Sequence, residues 1–186
     1  MDGCTNGAGH INLFALVVYI PDPLARFLDD LRRELTPGCL PRAHVTILPP
    51  RPLIFSVDAA TEQARSVISG AAPFDVVLGG VQIFRPTDVI YIAIKDGERE
   101  IRELYRTLNY GSLAADEQYP FEPHNTLAQE LKPGQVQGIY ELARKRWAGY
   151  PHSRRFRAER AFFVQSRDDG TWVDLAEFRF QGVPVA

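Results

Sequence analysis

The period of the apolar positions changes several times along this chain. Ile11-Asn-Leu-Phe-Ala-Leu-Val-Val-Tyr-Ile20 is apolar almost throughout, the pattern of a strand covered on both faces. Pro21 stops it. Asp22-Pro23 then opens a helix, Asp22 as cap and Pro23 in the first turn, and Leu24, Phe27, Leu28, Leu31 and Leu35 follow at helical spacing. The turn Thr36-Pro-Gly-Cys39 ends it. A short strand over 43–48 is closed by Pro49-Pro50, and a second helix is expected over 58–69. Strands over 74–84 and 89–94 read as a hairpin around Arg85-Pro-Thr-Asp88, with Gly79-Gly80 marking a bulge or a close backbone approach. A third helix over 97–109 carries Ile101, Leu104, Tyr105 and Leu108 on one face. A strand over 124–129, a fourth helix over 133–147, and an antiparallel pair over 156–165 and 172–180 complete the chain.

The order β-α-β-α-β-β-α-β-α-β-β falls into two halves, each with a helix leading into a short strand. No linker is long enough to separate them. The expected fold class is α+β: a bilobal, pseudo-twofold arrangement of two sheet-and-helix lobes around a central cleft, in a single domain over 11–186. Residues 1–10, rich in glycine, are expected to form a flexible start.

The two short strands share a motif. His44-Val45-Thr46 opens one and His124-Asn125-Thr126 the other. Strand side chains alternate faces, so each His projects with its Thr, about 6.6–7 Å apart along the strand. An imidazole and a hydroxyl at that separation reach one tetrahedral phosphate. With four histidines and eight threonines in 186 residues, two such pairs arise by accident about once in a hundred sequences, so strand context adds the needed weight. In-line displacement at phosphorus needs a proton taken from the nucleophile on one side and given to the leaving group on the other. Imidazole does both near neutral pH, and the Thr hydroxyls donate to the non-bridging oxygens. This design requires no cofactor and no metal. No carboxylate stands at ligand spacing beside either His, and Thr is a poor ligand, which argues against a two-His metal site. His10, in the glycine-rich start, and His152, before a strand, read as ordinary surface residues.

Composition narrows the partners. Hydrophobic residues make up 45% of the chain and the formal net charge is −2, so a real core is available and no global basic field exists to hold a DNA duplex. Cys4 and Cys39 form no metal or disulfide framework. No apolar run reaches the ~18 residues of a membrane span, and Ile11 to Ile20 lacks signal-peptide flanks. A cytoplasmic protein is expected. The oligomeric state is open, a monomer being the simpler expectation.

The motifs His44-Val-Thr-Ile-Leu-Pro-Pro50 and Pro123-His-Asn-Thr-Leu-Ala-Gln129, with the element order and the 80-residue offset between the histidines, resemble the two-histidine phosphoesterase superfamily. The likeness is to its branch of bacterial 2′-5′ RNA ligase-like proteins and cyclic phosphodiesterases. It implies a metal-independent reaction on 2′,3′-cyclic or 2′-5′ phosphodiester linkages of nucleotides or RNA ends. His44 and His124 would be base and acid, and Thr46 and Thr126 would hold the phosphate. The second motif commonly ends in Arg in that branch, where this chain has Gln129, which opens the way to a smaller substrate. Arg51, following the first motif strand, is the leading replacement cation, with Arg42 and Arg85 behind it. Phe121 or Tyr119 stands where a base can stack. The alternative to an enzyme is a nucleotide or RNA-end binding protein that keeps the same site.

Overall fold

A computed structural model describes residues 9–38 and 42–182. The elements are β1 (His10–Tyr19), α1 (Leu24–Leu35), β2 (His44–Arg51), α2 (Val57–Gly70), β3 (Phe74–Phe84), β4 (Val89–Asp96), α3 (Glu98–Leu108), β5 (His124–Ala128), α4 (Val136–Ala148), β6 (Arg155–Ala158), β7 (Arg160–Arg167) and β8 (Trp172–Arg179). Local chemistry sets several boundaries. The Asp22 carboxylate accepts the Arg26 N–H at the start of α1 (3.1 Å), and Ser56 Oγ accepts the Ala59 N–H at the start of α2 (3.2 Å). Gly97 enters α3 at φ +86°, where a Cβ would stand 2.5 Å from the Asp75 carbonyl oxygen, so only glycine fits.

The strands form two four-stranded antiparallel sheets, ordered β2-β1-β7-β8 and β5-β4-β3-β6. The α+β, bilobal expectation therefore holds. In each sheet the motif strand lies at an edge and pairs with the strand preceding its helix: Tyr19 opposite His44 and Val17 opposite Thr46 in one, Ala93 opposite His124 and Tyr91 opposite Thr126 in the other. The helices join the halves. α1 packs against β5 and α4, and α3 against β2 and α2. Each motif strand is thus backed by a helix from the other half, and one continuous core includes Leu16, Val45, Ile47, Ile92, Leu104, Leu127 and Phe163. Burying side chains of this size contributes about 1.5–3 kcal/mol each.

Three expectations change. The single strand over 156–165 is two strands, β6 and β7, with Glu159 between them. β6 joins β3 and β7 joins β1, so this segment crosses from one sheet to the other. The apolar run is continuous because both strands face the same core, which hides the crossing. The fourth helix starts at Val136 rather than 133, since Gly134 takes φ +87° and cannot lie in a right-handed helix. β1 begins at His10, inside the stretch expected to be flexible, and residues 1–8 of that stretch, Cys4 among them, lie outside the described residues, as does Cys39. The Gly79-Gly80 bulge is present: the β3–β4 register shifts between Leu78 and Val81, and the Gly79 carbonyl accepts the Trp147 indole N–H (2.7 Å). Among the described residues no helix is long and apolar enough to cross a membrane.

Candidate functional site

The alternation expected of the motif strands is present in both halves. Val45, Ile47, Asn125 and Leu127 are fully buried, while His44, Thr46, His124 and Thr126 are half-buried and line one cleft. The burial order over 42–48 repeats residue for residue over 122–128. A lobe-to-lobe hydrogen bond sets the two strands side by side: Asn125 Nδ2 donates to the His44 carbonyl oxygen (2.8 Å). Asn125 is fully buried, so the polar residue at the middle position of the second motif is a strut between the halves.

The two imidazoles are held alike. His44 Nδ1 lies 2.6 Å from the Arg42 carbonyl oxygen, and His124 Nδ1 lies 2.6 Å from the Glu122 carbonyl oxygen. A carbonyl only accepts, so Nδ1 carries the proton in each ring and Nε2 is left to the cleft. Neutral, each ring presents a base there; charged, each presents an acid. Burial pushes the His44 imidazole down to about 4, the carbonyl bond to Arg42 opposing and the nearby Arg32, His124 and Arg42 reinforcing. His124 is also lowered by burial, but the Glu122 carbonyl bond and the Glu122 charge pull the other way.

The cleft encloses about 410 Å³, within the range of small-ligand sites. Its walls are largely apolar. Trp172 stands beside His44 (centroids 6.4 Å) and Tyr91 beside His124 (5.1 Å). Phe121 stacks on Tyr105 (4.2 Å) and Tyr119 meets the edge of Phe84 (5.4 Å). Gln129 also lines it. Phe121, Tyr119 and Gln129 thus all line the cleft.

The arginines are not arranged as the sequence suggested. Arg51 is 3% exposed and does not line the cleft. Its guanidinium donates to Glu117 (2.5 Å), Asn109 Oδ1 (2.7 Å) and the carbonyls of Leu113 and Pro49 (both 2.9 Å). This corrects its assignment as a substrate cation: the residue turns inward at the end of β2, where it anchors the segment between α3 and β5. Arg42 also lies outside the lining. It rests on the Tyr19 ring (3.6 Å) and pairs with Asp174 (2.7 Å). Arg85 is exposed on the β3–β4 turn. The cation that does line the cleft is Arg32, 4% exposed on α1. Its sequence context conceals it, because helical spacing among Leu28, Leu31 and Leu35 marks that face as core. Trp172 is concealed for a similar reason, since the cleft face of an edge strand reads like any amphipathic strand. His10 and His152 are exposed and away from the cleft, as expected. Among the described residues no three His, Cys, Asp or Glu side chains cluster so as to hold a metal ion.

The family model of the 2′-5′ RNA ligase superfamily matches residues 20–170, a span that includes both His-x-Thr strands. The chain belongs to that superfamily. A Staphylococcus haemolyticus protein named as a phosphoesterase is 28% identical to this superfamily member over 85 residues, 45% of this chain; the alignment spans half of the relative's own length. Among solved structures, a Thermus thermophilus protein superposes with a TM-score of 0.65 at 18% identity, covering 91% of this chain and 98% of that one. Escherichia coli LigT with 3′-AMP gives 0.63 at 14% identity, covering 94% and 99%. LigT has also been crystallised with ATP and with NADP+. These likenesses establish the fold of a two-histidine phosphoesterase.

Proposed function

We propose that this chain is a metal-independent phosphoesterase that opens a 2′,3′-cyclic phosphate or a related 2′-5′ phosphodiester of a nucleotide or RNA end. The supporting observation is the paired backbone tether: each Nδ1 held by the carbonyl two residues back, each Nε2 left to one cleft beside a Thr hydroxyl. Thr46 and Thr126 donate to the non-bridging oxygens. Water attacks phosphorus as the bond to one ribose oxygen breaks. One imidazole takes the proton from water at Nε2, and the other gives its Nε2 proton to the leaving oxygen.

The charges around the rings divide these roles in the hydrolytic direction. His44 stands among the cations Arg32 and Arg42, so its neutral form is favoured and it serves as base. His124 stands beside Glu122, which favours its charged form, and it serves as acid. The bound phosphodiester anion adds further stabilisation to the charged ring.

The test is hydrolysis of a nucleoside 2′,3′-cyclic phosphate in strong chelator by wild type, His44→Ala and His124→Ala. Turnover by wild type and a loss of roughly a hundredfold or more in both variants is the expected result. Activity that disappears with chelation contradicts the metal-independent reaction. An inert wild type that still binds nucleoside phosphates points to a binding protein instead.

A further inference from the structure

The segment Glu117-Gln-Tyr-Pro-Phe-Glu122, just ahead of β5, forms one wall of the cleft. It carries a carboxylate at each end and two aromatic rings between. Both rings are held by aromatic neighbours, Phe121 by stacking on Tyr105 behind the wall and Tyr119 by the edge of Phe84, which also lines the cleft. The Phe121 carbonyl also accepts from Arg102. An aromatic group seated on this wall therefore has a carboxylate beyond it at either end.

The charges behind the wall leave it acidic. Glu117 Oε1 is taken by the buried Arg51. Arg102 is shared between Glu122 (2.5 Å) and Glu98 (2.7 Å), so two carboxylates answer to one guanidinium. No lysine lines the cleft, and among its described lining residues Arg32 is the one fixed cation. Arg32 is buried at the floor near His44. The His-Thr pairs of the two motifs line this one cleft, where a single phosphate is held between the histidines. A second phosphate emerging at the Glu122 end of the wall meets a carboxylate that shares its one guanidinium, Arg102, with Glu98.

We infer that this cleft selects phosphodiesters bearing one phosphate on an aromatic nucleoside-like body and disfavours any with a second phosphate, with Glu122 as the specificity-determining residue. The inference rests on the phosphoester reading of the cleft. It makes the preferred substrate a mononucleoside cyclic phosphate rather than a polyphosphate or an extended RNA strand.

Binding separates this inference from catalysis. Calorimetric titration of wild type with adenosine 3′-phosphate and with adenosine 3′,5′-bisphosphate is expected to show the bisphosphate binding roughly three- to tenfold more weakly at low salt. High salt narrows the gap, and Glu122→Gln narrows it at low salt. Glu98→Gln, which leaves Arg102 to Glu122 alone, provides a second variant whose ratio moves the same way. Equal or tighter binding of the bisphosphate by wild type overturns the inference, as does a gap unchanged in both variants. If cyclic phosphates are not hydrolysed but the gap is found, the catalytic reading fails and the selectivity stands. If adenosine 3′-phosphate does not bind at all, both fall.

Discussion

The depressed His44 imidazole has a consequence for stability that is measurable without any substrate. In the unfolded chain His44 titrates near 6.5, and in the folded chain near 4. Above 6.5 both states hold the neutral ring and the difference contributes nothing. As pH falls through 6.5 the unfolded ring gains a proton that the folded ring refuses, and the folded state loses ground until about 4. Integrating between pH 8 and pH 5 gives a loss of about 2 kcal/mol from this residue. His44→Gln removes the titration. Urea unfolding of wild type and variant at both pH values isolates it, because other titrating groups act on both proteins alike. With a slope of about 1–3 kcal/mol per molar urea, the wild-type midpoint should fall by roughly 1 M more than that of the variant. Equal pH dependence in the two proteins would refute the buried, carbonyl-tethered neutral ring. Saturating phosphate should recover part of the loss, since an anion in the cleft favours the protonated imidazole.

The same depression predicts an acidic optimum: kcat/KM requires one neutral and one charged imidazole, both lowered, so its bell should peak below pH 6.5, and a plateau at pH 8 would contradict it. Arg51→Met takes the guanidinium donor from Glu117 and the Leu113 carbonyl, and leaves Asn109 Oδ1 with the Ala115 N–H alone, and should cost about 3–5 kcal/mol in urea unfolding. Lowered solubility alone, with the midpoint unchanged, would argue against that anchor. Asn125→Leu removes the strut to the His44 carbonyl and should cost about 1–3 kcal/mol with a larger proportional loss in kcat than in stability. Gly97→Ala adds a clash with the Asp75 carbonyl to the strain of positive φ and should destabilise by several kcal/mol, whereas Gly134→Ala, at φ +87° with open space around it, should cost only about 1–2 kcal/mol. Equal thermal shifts in the two would contradict the clash.

The four histidine and threonine positions are legible in the sequence because strand alternation and a repeated motif are local signals. Period alone locates the helices to within a few residues. The crossing at Glu159 is not legible, because one apolar run serves two sheets. Arg51, expected at the cleft, is in the core, and Arg32, to which the sequence assigns no role, lines the cleft. A leucine-rich helical face hides Arg32, and the position of Arg51 directly after Pro-Pro suggests exposure. Alternation from His44 holds only as far as Ile47, since Leu48 is in the core and Pro49 lines the cleft, so counting from the motif does not place Arg51. The neighbours that neutralise Arg51, Asn109 and Glu117, come from a segment with no periodic signature.

The sheet order also bears on when the site comes into being. One sheet draws all its strands from residues 74–158, so it can assemble as soon as that stretch is made. The other places β1 and β2 beside β7 and β8, which are separated from them by more than a hundred residues. During synthesis the strand bearing His44 therefore waits, with β1 unpaired on one side, until Arg160–Arg179 arrive. Closure of that long loop is the entropically slow step. A chain interrupted near 158 would own both histidines and still lack the sheet that aims one of them.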